Sequence, residues 1–225
     1  MDGKTYSLIE NHMQSCMEDS AHDKEHIYRV LYNALEIAET ESGVDYDILI
    51  TACLLHDIGR GEQFRNPEVC HAAAGGDMAY KFLMENGFGA DFAEGVRHCI
   101  RTHRYRKSEP PQSVEAKILF DADKLDVAGA IGIARTLIYR GKVGEPIYSV
   151  LPDGSVSDGA NDTESSFFRE YKFKLENLYD KFFTEKGREL AESRRKHASE
   201  FYDDLLKEVS GSRQKGRERL YGLIG

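Results

Sequence analysis

Three stretches of this 225-residue chain set hard nitrogen and oxygen donors at the edges of apolar segments. His26 opens one, His56 and Asp57 close a second, and a third ends in Asp121, Asp123 and Asp126 with Lys124 among them. An imidazole or a carboxylate gains nothing from burial beside a core unless something offsets its desolvation. A divalent metal ion does so, and imidazole with carboxylate is a donor set suited to manganese, magnesium, iron or cobalt. Singly, each feature has an ordinary alternative. A surface histidine, a histidine at the negative end of a helix dipole and a solvated acidic turn would explain them one at a time.

Helical geometry sorts the candidates. Adjacent residues point ~100° apart on a helix, so His56 and Asp57 reach one ion only where a helix ends, and Gly59 supplies that freedom. Asp121 and Asp123 lie ~200° apart and do not both face the same ion. Asp123 is taken as the ligand, with Asp121 as an outer carboxylate or a helix-surface charge and Asp126 orienting Lys124 or a water. Arg29, one turn beyond His26, is placed to grip a phosphate bidentately. His71 and His103 each read as a second metal ligand, a phosphate-contacting donor or a satisfied surface histidine, while His98 is expected to point away.

The elements that must carry these residues read as helices. Ser20 with Asp23 three residues on resembles a capping box. After it, Ile27, Val30, Leu31, Ala34, Leu35 and Ala38 form one apolar helical face. Gly43 ends that segment, and Asp45 or Asp47 opens the next, which runs to His56 and Asp57 and breaks at Gly59–Gly61. A loop over 63–67 is expected, then helices from about Glu68 to Glu85 and Ala90 to His103. Ser113 begins a long helix expected to reach Tyr139. Residues 141–162, with glycines, Pro146 and Pro152, read as an irregular excursion or small hairpin. Helices near 164–183 and 186–209 follow, then a mobile tail. The class is all-α. The division expected is a core over 1–140, the excursion at 141–162, C-terminal helices at 163–210 completing the same domain, and a tail at 211–225.

A formal charge of −9 and a pI near 5.4 argue against a surface built for polyphosphate backbones. The basic residues Arg213, Lys215, Arg217 and Arg219 read as a solvated end, so no stable nucleic-acid complex is expected. No apolar run approaches the ~20 residues that span a bilayer, and no leader is apparent, so a cytoplasmic protein without a membrane partner is expected. The four cysteines are scattered without a Cys-x-x-Cys pair, which fits reducing surroundings. A homodimer is allowed.

The ordered set of His26, the stretch Leu54–Gly61 around His56 and Asp57, and Ala122–Asp126 resembles the HD-domain metal-dependent phosphohydrolase superfamily. Ala21–His22–Asp23, His71–Gly75 and Gly129–Gly132 extend the likeness to a small, mostly bacterial, stand-alone branch that includes nucleoside triphosphate pyrophosphohydrolases. It covers about residues 5 to 208. The resemblance implies a helical bundle with His26, His56, Asp57 and Asp123 holding one divalent ion at its centre, and a C-terminal helix pair. Some other branches carry an acidic pair shortly after the His–Asp dipeptide. Here Arg60 and Gly61 stand there, with Glu62 just beyond.

The chemistry expected is hydrolysis of a phosphoanhydride or phosphoester in a small phosphorylated substrate, best a nucleotide, with release of pyrophosphate from a nucleoside triphosphate as its most specific form. The metal would acidify a water and polarise a phosphoryl oxygen. Asp57 or Glu62 would take the proton, and Arg29, Arg60, His71, His103 and Lys124 would neutralise charge on the phosphoryl oxygens. The competing reading is a non-catalytic sensor that binds a nucleotide and reports it through the C-terminal helices.

Overall fold

The computed structural model describes residues 1–17, 24–104 and 110–224 and is built from helices. Among the described residues, β structure amounts to one isolated antiparallel bridge, Val150 to Val156, inside the expected excursion. The chain divides into two compact units. The first comprises Met1–Asp126 with Phe182–Gly187, and the second Val127–Lys181 with Arg188–Gly225.

The first unit holds helices α1 (Gly3–Cys16), α2 (Lys24–Ala38), α3 (Tyr46–Leu55), α4 (Arg60–Arg65), α5 (His71–Glu85), α6 (Ala90–Thr102) and α7 (Val114–Leu125). Helix α3 is apolar nearly all round, which marks a helix surrounded by others rather than one with a wet face. Accordingly it packs against α1, α2, α6 and α7, and Leu49, Thr51, Ala52, Cys53, Leu54 and Leu55 are all buried. Asp45 caps it by accepting from the Asp47 and Ile48 amides, while the Asp45 amide itself donates to buried Glu115 on α7 at 2.8 Å. The apolar face expected of α2 is buried as Ile27, Val30, Leu31 and Ala34. Ser20 and Asp23, expected to cap it, lie outside the described residues.

Between α3 and α5 the chain turns tightly. Gly59 approaches the backbone of α5 so closely that an added Cβ would stand 2.3 Å from the His71 carbonyl oxygen and 2.6 Å from the Gly75 amide. The stretch expected as a loop from residue 63 is helical to Arg65 as part of α4, and α5 starts at His71, not near Glu68. The long helix expected from Ser113 to Tyr139 is two. Ser113 caps α7 through the Ala116 amide, α7 ends at Leu125, and α8 (Gly129–Lys142) starts at a glycine with φ +67°, a left-handed conformation that a side chain resists.

The second unit holds α8, α9 (Phe167–Glu170) and all but the start of α10 (Glu185–Ile224). The expected helix over 164–183 shrinks to α9 and one widened π turn at Tyr171–Leu175. There the Glu176 amide reaches back five residues to the Tyr171 carbonyl. The Asn177 side-chain amide takes the Lys172 carbonyl at 2.6 Å, a side chain competing with the ladder that would have continued the helix. The C-terminal pair is therefore unequal. Helix α10 runs 40 residues, through the stretch from Gly211 expected as a tail.

Candidate metal centre

The first turn of α2, the C-terminal end of α3, the N-terminal residue of α5, the C-terminal end of α6 and the last turn of α7 bring their chemistry to one place in the first unit. His56 caps α3, so Asp57 already lies beyond regular helix and the two side chains converge, as the 100° argument requires. His56 donates Nδ1–H to the Cys53 carbonyl at 2.7 Å, and His103 donates to the Ile100 carbonyl at 2.6 Å. Carbonyls only accept, so in both rings Nε2 carries the lone pair. The His56 and His26 Nε2 atoms lie 3.4 Å apart.

Asp57 stands between two groups of donors. Its Oδ2 is 3.6 Å from His26 Nε2 and 3.8 Å from His56 Nε2. Its Oδ1 is 3.4 Å from His71 Nε2 and 3.7 Å from His103 Nε2, and accepts from Arg60 Nε at 2.9 Å. Asp123 Oδ1 completes the first group, 3.3 Å from His26 Nε2 and 3.9 Å from His56 Nε2. Separations of this size are those of neighbouring ligands around one ion with bonds of ~2.1 Å. His26, His56 and Asp123 could hold one cation, and Asp57, His71 and His103 form a second such group. The Nε2 atoms of His71 and His103 are buried without a hydrogen-bond partner, a costly state for polar atoms unless an electrophile meets them. The donor set and these orphaned nitrogens fit a bound divalent ion.

Electrostatics agree. Burial alone would lower the His26 pKa, but hydrogen bonds with Asp123, Asp126 and Asp57 outweigh it and raise it to about 10. Burial pushes His56 down to about 4 and lowers His71 and His103. Burial opposes ionisation of Asp57, yet its electrostatic interaction with His56, the hydrogen bond with His26 and the charge of Arg60 hold it well below the carboxylate range. Asp123 is held down in the same way by His26 and His56 against its own desolvation. A proton on His26 thus occupies, electrostatically, the place of a cation.

The remaining candidates divide. Arg60 reaches the cluster through Asp57, and His71 and His103 face it. The shorter of two contacts fixes His71, whose Nδ1 lies 2.7 Å from Gln63 Oε1 against 3.1 Å from Arg104 Nη1. Arg29 is turned to Asp126, with Nε 2.7 Å from Oδ1 and Nη2 3.1 Å from Oδ2, rather than held open for a phosphate. Asp126 also accepts from His26 Nδ1 at 2.7 Å, a partner for its carboxylate that was not among those expected. Lys124 places Nζ 4.0 Å from the centre of the Phe120 ring and 5.8 Å from that of Phe182. Glu62 pairs with Arg65 at 2.8 Å, a local helix contact, and belongs to neither donor group. His98 accepts from the Gln112 amide at 3.4 Å. Asp121 faces away from Asp123, as 200° predicts, and accepts from the Phe183 and Thr184 amides and the Thr184 hydroxyl. Asp126 and Gln63 were missed as partners of the ring nitrogens. For Asp126 a signal existed, because Asp123 and Asp126, like His26 and Arg29, are one turn apart.

A bundle of this kind around a His/Asp cluster defines the HD-domain class of protein, and comparison with known proteins says the same. The family described as HD domain matches residues 24–128. The chain is 32% identical over 214 residues to YpgQ of Bacillus subtilis (strain 168), covering 92% of this chain and 95% of that protein. The crystal structure of YpgQ in complex with ADP matches with a TM-score of 0.70 at 31% identity, over 92% of this chain and 98% of that one. A predicted HD superfamily hydrolase from an uncultured Thermotogales bacterium matches with a TM-score of 0.62 at 32% identity, over 90% and 92% of the two chains. This chain belongs to the HD-domain superfamily.

Proposed function

We propose that this protein is a metal-dependent phosphohydrolase of a small phosphorylated substrate, best a nucleotide, and that splitting a nucleoside triphosphate into monophosphate and pyrophosphate is its most specific form. The observation that carries the reading is the convergence of His26, His56, Asp57 and Asp123, from α2, the end of α3 and α7, with the Nε2 atoms of both histidines directed at the two carboxylates. The nucleotide rests on YpgQ, a relative whose crystal structure contains ADP.

His26, His56, Asp57 and Asp123 would hold the ion, of which manganese, magnesium, iron and cobalt all suit the donors. Bound there, a divalent ion would supply an acidified water and an electrophile for a phosphoryl oxygen. His56, His26 and Arg60, whose Nε donates to Oδ1, keep Asp57 ionised, and its Oδ2 is the oxygen at which it would receive a proton from the water. Arg60, on one side of Asp57, would offer its cationic guanidinium to phosphoryl oxygens, while neutral His71 and His103 turn their Nε2 lone pairs to the same side and would serve as donors to a cation there. Lys124, next to Asp123 in the chain with its ammonium against Phe120, would add positive charge to the neighbourhood of a bound phosphoryl group. Glu62, engaged with Arg65, is the weaker candidate for a base.

The test is a hydrolysis screen of nucleotides and sugar phosphates with manganese, cobalt and magnesium, with products identified, on wild type and Asp57→Ala. Turnover in the wild type that vanishes in the variant while nucleotide binding survives supports the enzyme. Nucleotide binding with no phosphate or pyrophosphate released under any ion overturns it in favour of a sensor.

A further inference from the structure

One strongly built arrangement adjoins the donor groups without supplying a ligand to either. Asp126 is 1% exposed at its side chain and lies at the end of α7, three residues beyond Asp123. One of its oxygens, Oδ2, receives His26 Nδ1 at 2.7 Å and Arg29 Nη2 at 3.1 Å, and the other, Oδ1, receives Arg29 Nε at 2.7 Å. His26 and Arg29 occupy the same face of α2, one turn apart, so a single carboxylate from α7 meets both.

We infer that Asp126 and Arg29 are positioning residues that set the cation affinity of the centre by fixing the ring of His26. The carboxylate only accepts, so the ring nitrogen facing it keeps its hydrogen, and Nε2, once it gives up its proton, is the nitrogen left to offer a lone pair to a cation shared with Asp57 and Asp123. The planar guanidinium, gripping both oxygens, fixes the plane of the carboxylate, and that plane fixes the plane of the ring. Arg29 also balances a charge that would otherwise lie unpaired in the interior beside a second carboxylate. A plain staple between α2 and α7 would use the same pair for stability alone, and the two roles separate in their effect on the ion.

The inference rests on the metal-centre reading, so metal-free wild type is titrated first with manganese(II), followed by Asp126→Asn and Arg29→Gln. The absorption spectrum of the cobalt(II)-loaded forms and the melting temperatures of the metal-free forms are recorded beside it. Asp126→Asn keeps the shape and an acceptor for Arg29 but no longer dictates which ring nitrogen is protonated. It is expected to weaken manganese binding about 10- to 100-fold and to change the cobalt spectrum. Arg29→Gln, whose side chain is 30% exposed, is expected to weaken binding by a smaller factor and serves if the first variant does not fold. Wild type that takes up no ion overturns the metal reading and this inference with it. Wild type that binds, with variants that melt lower but keep the same affinity and the same cobalt spectrum, overturns the inference alone.

Discussion

His26 and His56 face each other across 3.4 Å and hold protons in opposite ways, because only His26 has carboxylates on both of its nitrogens. In metal-free protein His56, pushed by burial to about 4 against an ordinary 6.5, is neutral when folded and protonated when unfolded between those values. The cluster therefore loses stability as pH falls from about 6.5 toward 4. His26, buried but raised by its three carboxylates to about 10, contributes stability that is complete below 6.5 and lost as pH rises toward 10. Melting temperature against pH after chelation should thus peak near 6.5, and His26→Gln should remove the alkaline decline alone. Uptake of an ion must expel the His26 proton, so apparent affinity should rise by about tenfold per pH unit from neutrality toward pH 9. Calorimetric titration in buffers of different ionisation enthalpy should count about one proton released per ion. A flat pH dependence would mean that His26 is not a ligand. At this scale much could be read in advance. The 200° between Asp121 and Asp123 separated them correctly, whereas the role of Asp126 depended on a partner 100 residues away that only the packing of α2 on α7 supplies.

At the scale of elements, the site depends on where helices stop. Gly59 was legible as a break, but not its second purpose, the close seating of α4 on α5 that sets His71 against Asp57. Gly59→Ala would drive a methyl into two backbone atoms at 2.3 and 2.6 Å, neither the end of a flexible side chain. A loss of about 1–3 kcal/mol in denaturant unfolding is expected, with a displaced His71. The end of α7 at Leu125 was not legible, since Asp126 to Ile133 continues a helical spacing of apolar residues and Gly129 looks like any small packing residue until its φ is known. Asp121 offers a cleaner separation of structure from chemistry. Its buried carboxylate accepts from the amides of Phe183 and Thr184 just before α10 begins, and burial raises its pKa despite those bonds. Asp121→Ala leaves those amides without their acceptor and should cost about 2–4 kcal/mol while manganese affinity holds. Asp123→Ala should do the reverse. An Asp121→Ala protein that folds but no longer binds manganese would exchange the two roles.

Across the whole molecule, the fold was legible as helical because hydrophobic spacing is written locally. The partition into two units was not, because the segment Phe182–Gly187 returns to the first unit from far along the chain. Among the described residues no helix is long and apolar enough to cross a membrane. Both candidate donor groups found among the described residues lie in Met1–Asp126, and this locates the consequence of removing a metal. Without an ion, Asp57, Asp123 and Asp126 share one interior with Arg60, Arg29 and the protonated His26 as their balancing charges. An ion that binds only the folded state stabilises it by about 2.7 kcal/mol at a hundredfold excess over its Kd. For a domain of this size that is roughly 5–10 °C in melting temperature. Scanning calorimetry of chelator-treated protein with and without manganese should show that rise, and it should be lost in Asp123→Ala. If the two units melt in separate transitions, the shift belongs to the one that exposes the first unit, because neither donor group found among the described residues draws on the second. A rise confined to the other transition would place the ion elsewhere and remove the basis for assigning His26, His56, Asp57 and Asp123 to it.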